Sequence, residues 1–353
     1  MSKIVILGDL HLGVRNGSSL FLKEQEKFFT YLFDYILKNN IQEVFCLGDV
    51  LDKRKQVDFL VSKFLQEKFF KFFDTHKVMF RSVIGNHDLY YKNTMDINGV
   101  SQLNKSIYVR FYEKIESCYF DSCKFTFCPW ICEENKQEIE EFFKNYEKTD
   151  FDILFGHFEL AGFTIMKGYL SEKGSIDKKL LSCFDKVFSG HYHTPSDNQN
   201  ITYVGTPYQL TWSDVDDEKR FFVLDTETRE IEEILTHPKL FQKYNYFDEL
   251  TLDYSQVESC FVKIILTKEF DQGKFEDFLV ELEEKGKPFQ VQVIDNRNAN
   301  SGIDEEVIDL DVDNPIEAML KELEKTITDE IVLKYAQDFT LSIFKLAQEK
   351  KNA

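Results

Sequence analysis

The sequence predicts an α/β fold whose functional site lies where the strands end. Five short apolar runs each end in a cluster of glycine and polar residues, and stretches with helical spacing follow several of them. Short buried strands that alternate with helices are typical of α/β domains, which bind ligands at the carboxyl ends of their strands. The five junctions are Leu7 to Gly8-Asp9, Leu47 to Gly48-Asp49, Ile84 to Gly85-Asn86-His87-Asp88, Phe155 to Gly156-His157, and Phe188 to Ser189-Gly190-His191.

The remaining elements follow in order along the chain. Residues 57–73 have the apolar spacing of an amphipathic helix, and residues 201–207 and 221–224 have strand-like patterns that close the α/β domain near residue 236. A small α+β domain comes next, with strands at 261–266 and 289–294 around a helix at 274–285. The predicted boundaries are therefore 1–236 for the α/β domain and 237–294 for the small α+β domain.

The last part of the sequence is predicted to be a tether that carries helices. Residues 295–313 are rich in acidic, glycine and asparagine residues, which is typical of a flexible and self-repelling linker. Asn314-Pro315 has the pattern of a helix N-cap followed by a first-turn proline. Two apolar stripes between Ile316 and Leu346 predict a pair of helices within the segment 314–353.

The composition is that of a folded protein of a reducing compartment. The chain has 353 residues, of which 43% are hydrophobic and 30% charged, so it can bury a sizeable core. It contains no run of about 18 apolar residues that would predict a membrane span, and its first residues enter a strand-like run without a signal-peptide cleavage site. We therefore expect a cytoplasmic location, the host cytoplasm if the protein is viral.

The seven cysteines leave one alternative open. Their odd number and irregular spacing argue against a disulfide framework. Four of them lie close enough in sequence to suggest zinc, namely Cys118, Cys123, Cys128 and Cys132. They lack the paired spacing of a zinc site and fall in strand-like sequence, so we favour ordinary buried thiols.

Histidines at the strand ends predict a metal site. Five of the seven histidines follow these strands, and they are His11, His87, His157, His191 and His193. In an extended segment, the i, i+2 spacing of Asp9 with His11 and of His191 with His193 points both side chains to one side. Each cluster alone is also typical of a turn or a helix cap. Five in succession, with imidazole and carboxylate but no thiolate, favour divalent ions such as manganese, iron or magnesium.

The order of the five clusters resembles the signature of the calcineurin-like metallophosphoesterase superfamily. That signature consists of D-x-H, G-D, G-N-H-D, G-H and G-H-x-H, and every position is matched between Asp9 and His193. The resemblance implies a two-sheet sandwich flanked by helices. It also implies two metal ions, for which we expect Mn²⁺ with Mg²⁺ as the alternative. One ion would be held by Asp9, His11, Asp49 and His193, and the other by Asp49, Asn86, His157 and His191.

The same resemblance implies the reaction. The two ions, bridged by Asp49, would activate a water for in-line attack on a phosphodiester, and His87 would serve as acid near the scissile phosphate, oriented by Asp88. Within the superfamily, the opening residues Gly8 to Gly13, the Gly205-Thr206-Pro207 segment and the small α+β cap domain resemble SbcD-type double-strand-break repair nucleases. Residues 129–135 and 203–211 most resemble the recombination endonuclease subunits of T-even phages. We therefore expect a DNA endonuclease and exonuclease that acts in recombination, repair and replication.

One position departs from the cellular members of that family. They carry a histidine three residues after the G-D aspartate, where this chain has Asp52, so the role of that histidine in exonucleolytic trimming is not transferred. Lys53, Arg54 and Lys55 follow directly and are candidates for contacts with DNA phosphates. The alternative is a solvated start of the next helix.

Other functions remain open at this stage. The clusters are equally compatible with a phosphomonoesterase or a cyclic-nucleotide phosphodiesterase, because one fold hosts many substrates. A third possibility is a recombination scaffold whose metal site is only structural. The tethered helices favour the nuclease, since a small-molecule phosphatase has no need of them.

The resemblance also implies partners. A homodimer would pair through helices that follow the second and third clusters, with the stripe at 57–73 as a candidate surface, although this helix could instead cover its own sheet. An SMC-like coiled-coil ATPase would dock on the helices between residues 314 and 346. Such a partner would also supply a basic DNA-binding surface, which a chain of net charge -19 does not offer by itself.

Overall fold

Two six-stranded sheets stacked face to face form the centre of the fold. The computed structural model describes residues 3–166, 169–215 and 217–297. The first sheet has the order β14-β13-β1-β2-β3-β4 and the second the order β11-β12-β10-β7-β6-β5. Their strands are β1 (Lys3–Leu7), β2 (Glu43–Cys46), β3 (Met79–Val83), β4 (Val109–Tyr112), β5 (Glu116–Phe120), β6 (Cys123–Cys128), β7 (Asp152–His157), β10 (Lys186–Gly190), β11 (Ser196–Asn198), β12 (Ile201–Tyr203), β13 (Arg220–Asp225) and β14 (Ile231–Leu235).

The remaining elements flank the sandwich or follow it. A hairpin of β8 (Thr164–Met166) and β9 (Tyr169–Leu170) is separate, and β15 (Phe241–Tyr246), β16 (Phe261–Leu266) and β17 (Gln290–Asp295) form a third, parallel sheet. The helices are α1 (Ser19–Lys38), α2 (Phe59–Phe64, a π turn Leu65–Phe69, and Phe70–His76), α3 (Gly99–Leu103), α4 (Lys136–Lys144) and α5 (Gln272–Glu281, with a π turn Leu282–Gly286). None of the helices in these ranges combines the length and the apolarity that crossing a membrane requires.

Parallel pairing brings the carboxyl ends of the central strands to one edge. Strands β1 to β4 are mutually parallel, as are β12, β10, β7 and β6, whereas β13 and β5 run antiparallel to their neighbours. The register pairs Gly190 of β10 with His157 of β7. The turns that follow β1, β2, β3, β7 and β10 are therefore neighbours, which confirms the predicted α/β organisation.

Alternating side chains explain why the two sheets stack. In β1, Ile4 and Ile6 face the second sheet, while Val5 and Leu7 face the helices. Phe45 stands in the middle of the intersheet core, with its ring 5.0 Å from those of Phe127 and Phe155. A strand that is apolar on both faces reads as a continuous hydrophobic run, which is the pattern that predicted these strands.

Helix α2 covers its own sheet rather than presenting its apolar stripe to solvent. Val61, Phe64, Phe69 and Phe73 are buried in the core between the first sheet and the helices. Phe70, which the spacing places off the main face, is buried as well, because the π turn rotates the following residues. The prediction that the stripe at 57–73 forms a dimer surface is therefore wrong for nearly all of it.

The small α+β domain forms as predicted in its elements, with one strand added. Strands β16 and β17 and helix α5 match the predicted segments, and β15 was missed because Phe241–Tyr246 alternates apolar and polar residues only weakly. Phe241 of β15 packs against Trp212, with 4.9 Å between ring centres. The boundary at residue 236 stays a prediction. Residues 298–353, which hold most of the predicted linker and both predicted helices, lie outside the described residues.

Candidate metal centre

The five sequence clusters meet at the shared edge of the two sheets. Of the seven predicted ligands, Asp9, His11, Asp49, Asn86 and His157 are at most 2% exposed, and His191 and His193 are half-buried. Within the described residues, two groups bring possible ligand atoms within 4.8 Å of one another. The first consists of Asp9, His11 and His193, and the second of Asp9, Asp49 and His157. Neither group contains a cysteine, so the zinc alternative gains no support.

Asp49 lies between the two histidine groups. Its Oδ2 is 3.8 Å from Nε2 of His11 and 3.3 Å from Nε2 of His157. Asp9 also reaches both sides, with Oδ2 at 4.0 Å from His11 Nε2 and Oδ1 at 3.8 Å from His157 Nδ1. Two carboxylates thus occupy the position between the groups, where the sequence predicted Asp49 alone.

Asn86 completes the second group. Its Oδ1 is 2.9 Å from Nε2 of His157 and 3.0 Å from Nδ1 of His191. The Nδ1–H of His157 donates to the carbonyl of Leu47 at 2.7 Å, so a neutral imidazole has a lone pair at Nε2. That lone pair faces the Asn86 oxygen, and only a proton or a cation between them offsets the repulsion.

The donor set fits divalent ions. Asp9 Oδ1 is buried and accepts no hydrogen bond within the described part of the chain. His11 and His193 face each other with their Nε2 atoms 2.9 Å apart, so at most one proton lies between them. Converging oxygen and nitrogen lone pairs, with the far nitrogen of His157 held by a carbonyl, are the arrangement of a metal site with an oriented imidazole.

The polar residues converge through strained backbone, not through extended segments as the i, i+2 spacing suggested. His11, Asp49 and His191 have φ angles of 43°, 46° and 91°, in the left-handed region that residues with a side chain rarely adopt. Such conformations cost of order 1–3 kcal/mol each and persist where the surrounding structure imposes them. The predicted convergence is present, but tight turns rather than extended chain produce it.

Two motif glycines leave space for the carboxylates. A Cβ on Gly85 would lie 2.1 Å from Asp49 Oδ1, and a Cβ on Gly190 would lie 2.2 Å from Asp9 Oδ1. The φ angle of Gly85 is not in the left-handed region, so the close approach of Asp49 is what requires glycine there.

His87 has a different orienting partner from the one expected. Its Nδ1–H donates to the backbone carbonyl of Asp52 at 2.6 Å, and its amide donates to Asp49 Oδ1 at 2.7 Å. The Asp88 oxygens instead accept from the amides of Gly85 and Leu51, both at 3.0 Å. Asp88 therefore shapes the turn that carries His87, while the Asp52 carbonyl fixes the ring and leaves Nε2 as its outward nitrogen.

Burial and neighbouring charges shift the pKa values of three carboxylates in this cluster. Burial raises the pKa of Asp9 to about 6, although His157 opposes it. Burial, reinforced by the charge of Asp49, raises the pKa of Asp88 to about 7. Burial also acts to raise the pKa of Asp49, but His157 and His87 outweigh it and hold that pKa well below its ordinary value. The site therefore concentrates negative charge at Asp49.

Comparison with known proteins identifies the scaffold. The family model described as calcineurin-like phosphoesterase matches residues 2–195, more than half of the chain. The protein belongs to the calcineurin-like metallophosphoesterase family. Its sequence is 34% identical over 280 residues to exonuclease subunit 1 of Enterobacteria phage T4, a match that covers 78% of this chain and 80% of that protein. An archaeal phosphodiesterase of known structure aligns with a TM-score of 0.33 and 14% identity over 66% of this chain and 99% of that chain, a likeness too low to add weight.

The sequence did not predict that two buried polar residues, Gln25 and Tyr208, bind the backbone of the first motif of this metallophosphoesterase. Gln25 Nε2 donates to the carbonyls of Leu10 and His11 at 3.1 and 3.0 Å, and Tyr208 Oη donates to the Leu10 carbonyl. Gln25 is 2% exposed and occupies an apolar position of α1, between Leu22 and Phe28. A polar residue within an otherwise apolar helical stripe was the available signal.

A buried lysine, Lys219, binds the backbone of the last motif, which ends at His193. The ammonium group of Lys219, which is fully buried, donates to the His193 carbonyl at 3.1 Å and to Asp214 Oδ1 at 2.6 Å. Asp214 also accepts from the amides of Leu210 and Thr211 at 2.9 and 2.7 Å. The lysine thereby ties the backbone of a predicted metal ligand to the loop after Gly205-Thr206-Pro207. No sequence signal distinguishes Lys219 from its charged neighbours.

The predicted DNA-contacting residues begin at the rim of the metallophosphoesterase site. Lys53 and Arg54 are half-buried and Lys55 is exposed, directly after the Asp52 carbonyl that holds His87. Lys53 donates to Asn16 Oδ1, and the ammonium of Lys55 lies 5.5 Å from the centre of the Tyr90 ring. All three cations thus follow in sequence the residue whose carbonyl holds His87, and their contact with DNA stays a prediction.

Metal binding should release protons. Burial alone would lower the pKa of His11, but Asp52 and Asp49 outweigh it and raise that pKa to about 10. Burial would likewise lower the pKa of His157, but Asp49 and Asp9 outweigh it and raise that pKa to about 9. The raised pKa values favour the protonated form of both imidazoles at pH 7 in the metal-free protein, whereas a ligating imidazole must be neutral. Titration calorimetry with Mn²⁺ in buffers of different ionisation enthalpy should give about two protons released at pH 7 and tighter binding at pH 8.5. Binding without proton release would contradict this electrostatic description.

Loss of the Lys219 ammonium should weaken metal binding. Lys219→Met removes a donor to the His193 carbonyl and takes the cation from two carboxylates, the deeply buried Asp214 and the less buried Asp217. Breaking a buried ion pair in this way typically costs about 3–5 kcal/mol of stability. The double variant Lys219→Met/Asp214→Asn removes the more deeply buried of the two charges and should recover most of the stability. Its affinity for Mn²⁺ should still be roughly 10- to 100-fold lower than wild type, because the His193 backbone is no longer held. Wild-type affinity in the folded double variant would show that Lys219 does not position His193.

Proposed function

We propose that this metallophosphoesterase is a nuclease that hydrolyses DNA phosphodiesters with two Mn²⁺ ions. The observation that carries the proposal is the convergence of Asp9, His11, Asp49, Asn86, His157, His191 and His193 at one edge of the sandwich. The 34% identity to a phage exonuclease subunit, over most of both chains, supports DNA as the substrate. The nuclease would act in recombination and double-strand-break processing, as the sequence resemblance implies.

The proposed ligand sets follow the two sides of the cluster. Asp9, His11 and His193 would hold one ion, and Asn86, His157 and His191 the other. Asp49 would contribute to both, because its Oδ2 lies within 4 Å of a histidine from each side. Bound divalent ions would lower the pKa of a water molecule and offset charge on the phosphoryl oxygens. Mn²⁺ accepts mixed nitrogen and oxygen ligands, whereas Mg²⁺ prefers oxygen alone.

His87 would deliver a proton to the leaving oxygen. Its Nδ1–H is donated to the Asp52 carbonyl, so Nε2 is the nitrogen that faces a substrate. The amide of the same residue donates to Asp49, which fixes the ring relative to the bridging carboxylate. A positioned acid of this kind typically contributes about 10² to 10⁴ in rate. Asp88, which caps the amides of Gly85 and Leu51, supports this turn without touching the ring.

Phosphate contacts beside the site would come from Lys53, Arg54 and Lys55. These cations follow Asp52 directly, so they start within a few residues of the carbonyl that holds His87. Contacts of this type orient a nucleic acid without reading its sequence. The net charge of -19 argues that a basic partner supplies the rest of the attraction.

That partner would be an SMC-like coiled-coil ATPase bound through residues 314–346. The two apolar stripes in this segment support the proposal, since short amphipathic helices are marginal unless they pack on another surface. A homodimer, which the resemblance implies, would need a surface other than the buried stripe of α2. Phe59 and Leu60, at the start of that helix, are 92% and 50% exposed and are the candidates.

Two substitutions should separate metal binding from proton transfer. Wild type with Mn²⁺ should degrade linear DNA and should hydrolyse a chromogenic phosphate monoester poorly. His87→Ala should lose at least about 10²-fold in turnover, because it removes the acid, while it keeps its metal. Asp49→Ala should lose both metal and activity, because it removes the shared carboxylate. Metal content by elemental analysis is measured beside the rate.

The outcomes decide between functions. A high rate on the monoester with none on DNA would replace the nuclease by a phosphomonoesterase. Wild-type turnover by His87→Ala would remove this residue from the proposed role. If the folded protein hydrolysed neither substrate, the result would support the alternative of a recombination scaffold whose metal site is only structural.

Removal of residues 314–353 should separate the nuclease from its partner. The truncated chain should keep metal-dependent nicking of single-stranded DNA, because all proposed ligands precede residue 194. It should no longer co-elute with a candidate SMC-like ATPase in size-exclusion chromatography and should lose ATP-dependent processing of duplex ends. Co-elution of the truncated chain at nanomolar concentration would locate the docking site elsewhere.

A further inference from the structure

Trp130 stands beside the proposed metal ligands without a role in holding them. It follows β6 by two residues, and β6 is parallel to β7, so the indole lies at the same sheet edge as His157. The centre of its ring is 5.0 Å from that of His191 and 5.8 Å from that of His157. The indole thus forms a wall of the site on the side of the second ligand group.

The position of Trp130 is fixed by its backbone. Its amide donates to the carbonyl of Ile84 at 2.8 Å, just before the turn that carries Asn86 and His87. Its carbonyl accepts from Asn135 Nδ2 at 3.0 Å, and Asn135 Oδ1 accepts from the amide of Cys132 at 2.9 Å. A residue held at both backbone groups keeps its side chain at a constant distance from the site.

The indole ring is only half-buried and keeps its polar group available. One part of the ring packs against the core between the first sheet and the helices. Within the described part of the chain, the indole N–H donates no hydrogen bond and is not among the buried polar atoms that lack a partner. Core packing alone would be met by Phe, whereas a tryptophan with an open N–H is typical of a surface that meets a ligand.

Further aromatic side chains lie on the adjoining loop, and a lysine from another loop packs on one of them. Glu134 ties that loop to the loop of Trp130, since its Oε2 accepts from the amide of Met95 at 2.7 Å. The loop begins with Tyr90, whose ring lies under Lys55, and with Tyr91, which is 48% exposed. Aromatic rings interleaved with cations suit a single strand of nucleic acid, whose bases stack and whose phosphates pair with the cations.

We propose that Trp130 stacks on a nucleobase next to the phosphate held at the metal centre, so that the site prefers unpaired strand. This inference rests on the proposed function. In a duplex the bases are stacked on one another and turned away from a protein surface that contacts the backbone. A ring at the wall of the site can therefore reach a base only in a single strand or a frayed end.

A base-free substrate tests the stacking. Wild type, Trp130→Ala and Trp130→Phe are compared on oligothymidylate and on an oligomer of equal length in which every nucleotide is an abasic tetrahydrofuran analogue. Trp130→Ala should raise the KM for oligothymidylate roughly tenfold, and it should lose most of the discrimination between the two oligomers. Trp130→Phe should recover most of the effect. Metal content is measured for each variant, and Tyr119→Ala, an exposed aromatic that pairs with Lys124 at the far end of β6, is the matched control.

A uniform effect would overturn the proposal. If Trp130→Ala changed the KM for both oligomers by the same factor, or for neither, the ring would only shape the site. If wild type hydrolysed neither oligomer, the proposed function would fail while stacking would still be decided by fluorescence, as follows.

Tryptophan fluorescence provides a readout that does not depend on activity. The chain has two tryptophans, so Trp212→Phe leaves Trp130 as the single reporter. With Mn²⁺ bound and His87→Ala added to prevent cleavage, oligothymidylate should quench this emission, and the abasic oligomer should not. Binding of labelled oligothymidylate, detected by anisotropy, without any change in Trp130 emission would exclude contact between the ring and a base.

Discussion

Asp9 and Asp49 place two carboxylates in the protein interior, and the need to offset their charge organises the rest of the site. Neither residue is more than 1% exposed, so water cannot stabilise their carboxylates. A buried charge is tolerated only when it is paired or coordinates a metal. Neighbouring carboxylates raise the pKa values of the buried His11 and His157, so that protonated imidazoles offset the negative charge in the metal-free protein. In the function proposed above, divalent ions would replace these protons and the same residues would become ligands.

The strain around the cluster follows from this requirement. Three of its residues have left-handed backbone, and two motif glycines are needed because carboxylate oxygens occupy the space of a Cβ. Two buried polar side chains fix the backbone of the first and last motifs. Gln25 binds the His11 carbonyl in the first motif, and Lys219 binds the His193 carbonyl in the last. Both act on backbone carbonyls, so they fix where the ligands lie while the ligand side chains remain available for metal and substrate.

Sequence reasoning recovered the parts of this arrangement that depend on local pattern. Strands that are buried on both faces have continuous apolar sequences, and the polar residues after parallel strands lie at one sheet edge. The residues that converge there could therefore be predicted from the sequence, whereas their role as metal ligands stays a prediction. It failed where the outcome depends on packing. The apolar stripe of α2 has the same sequence pattern whether it covers a sheet or a partner protein. The π turn that buries Phe70 has no recognisable sequence pattern. The group that orients His87 is the backbone carbonyl of Asp52, which the side-chain sequence does not reveal. Trp130 and Lys219 were missed because their importance comes from neighbours distant in sequence.

The central claim is that two divalent ions replace the protons of this cluster with Asp49 between them. The most direct measurement is an anomalous difference map from crystals grown with Mn²⁺, recorded near the manganese absorption edge. The account predicts two peaks, one beside Asp9, His11 and His193 and one beside Asn86, His157 and His191, each within bonding distance of an Asp49 oxygen. A single peak, or two peaks of which neither contacts Asp49, would contradict it.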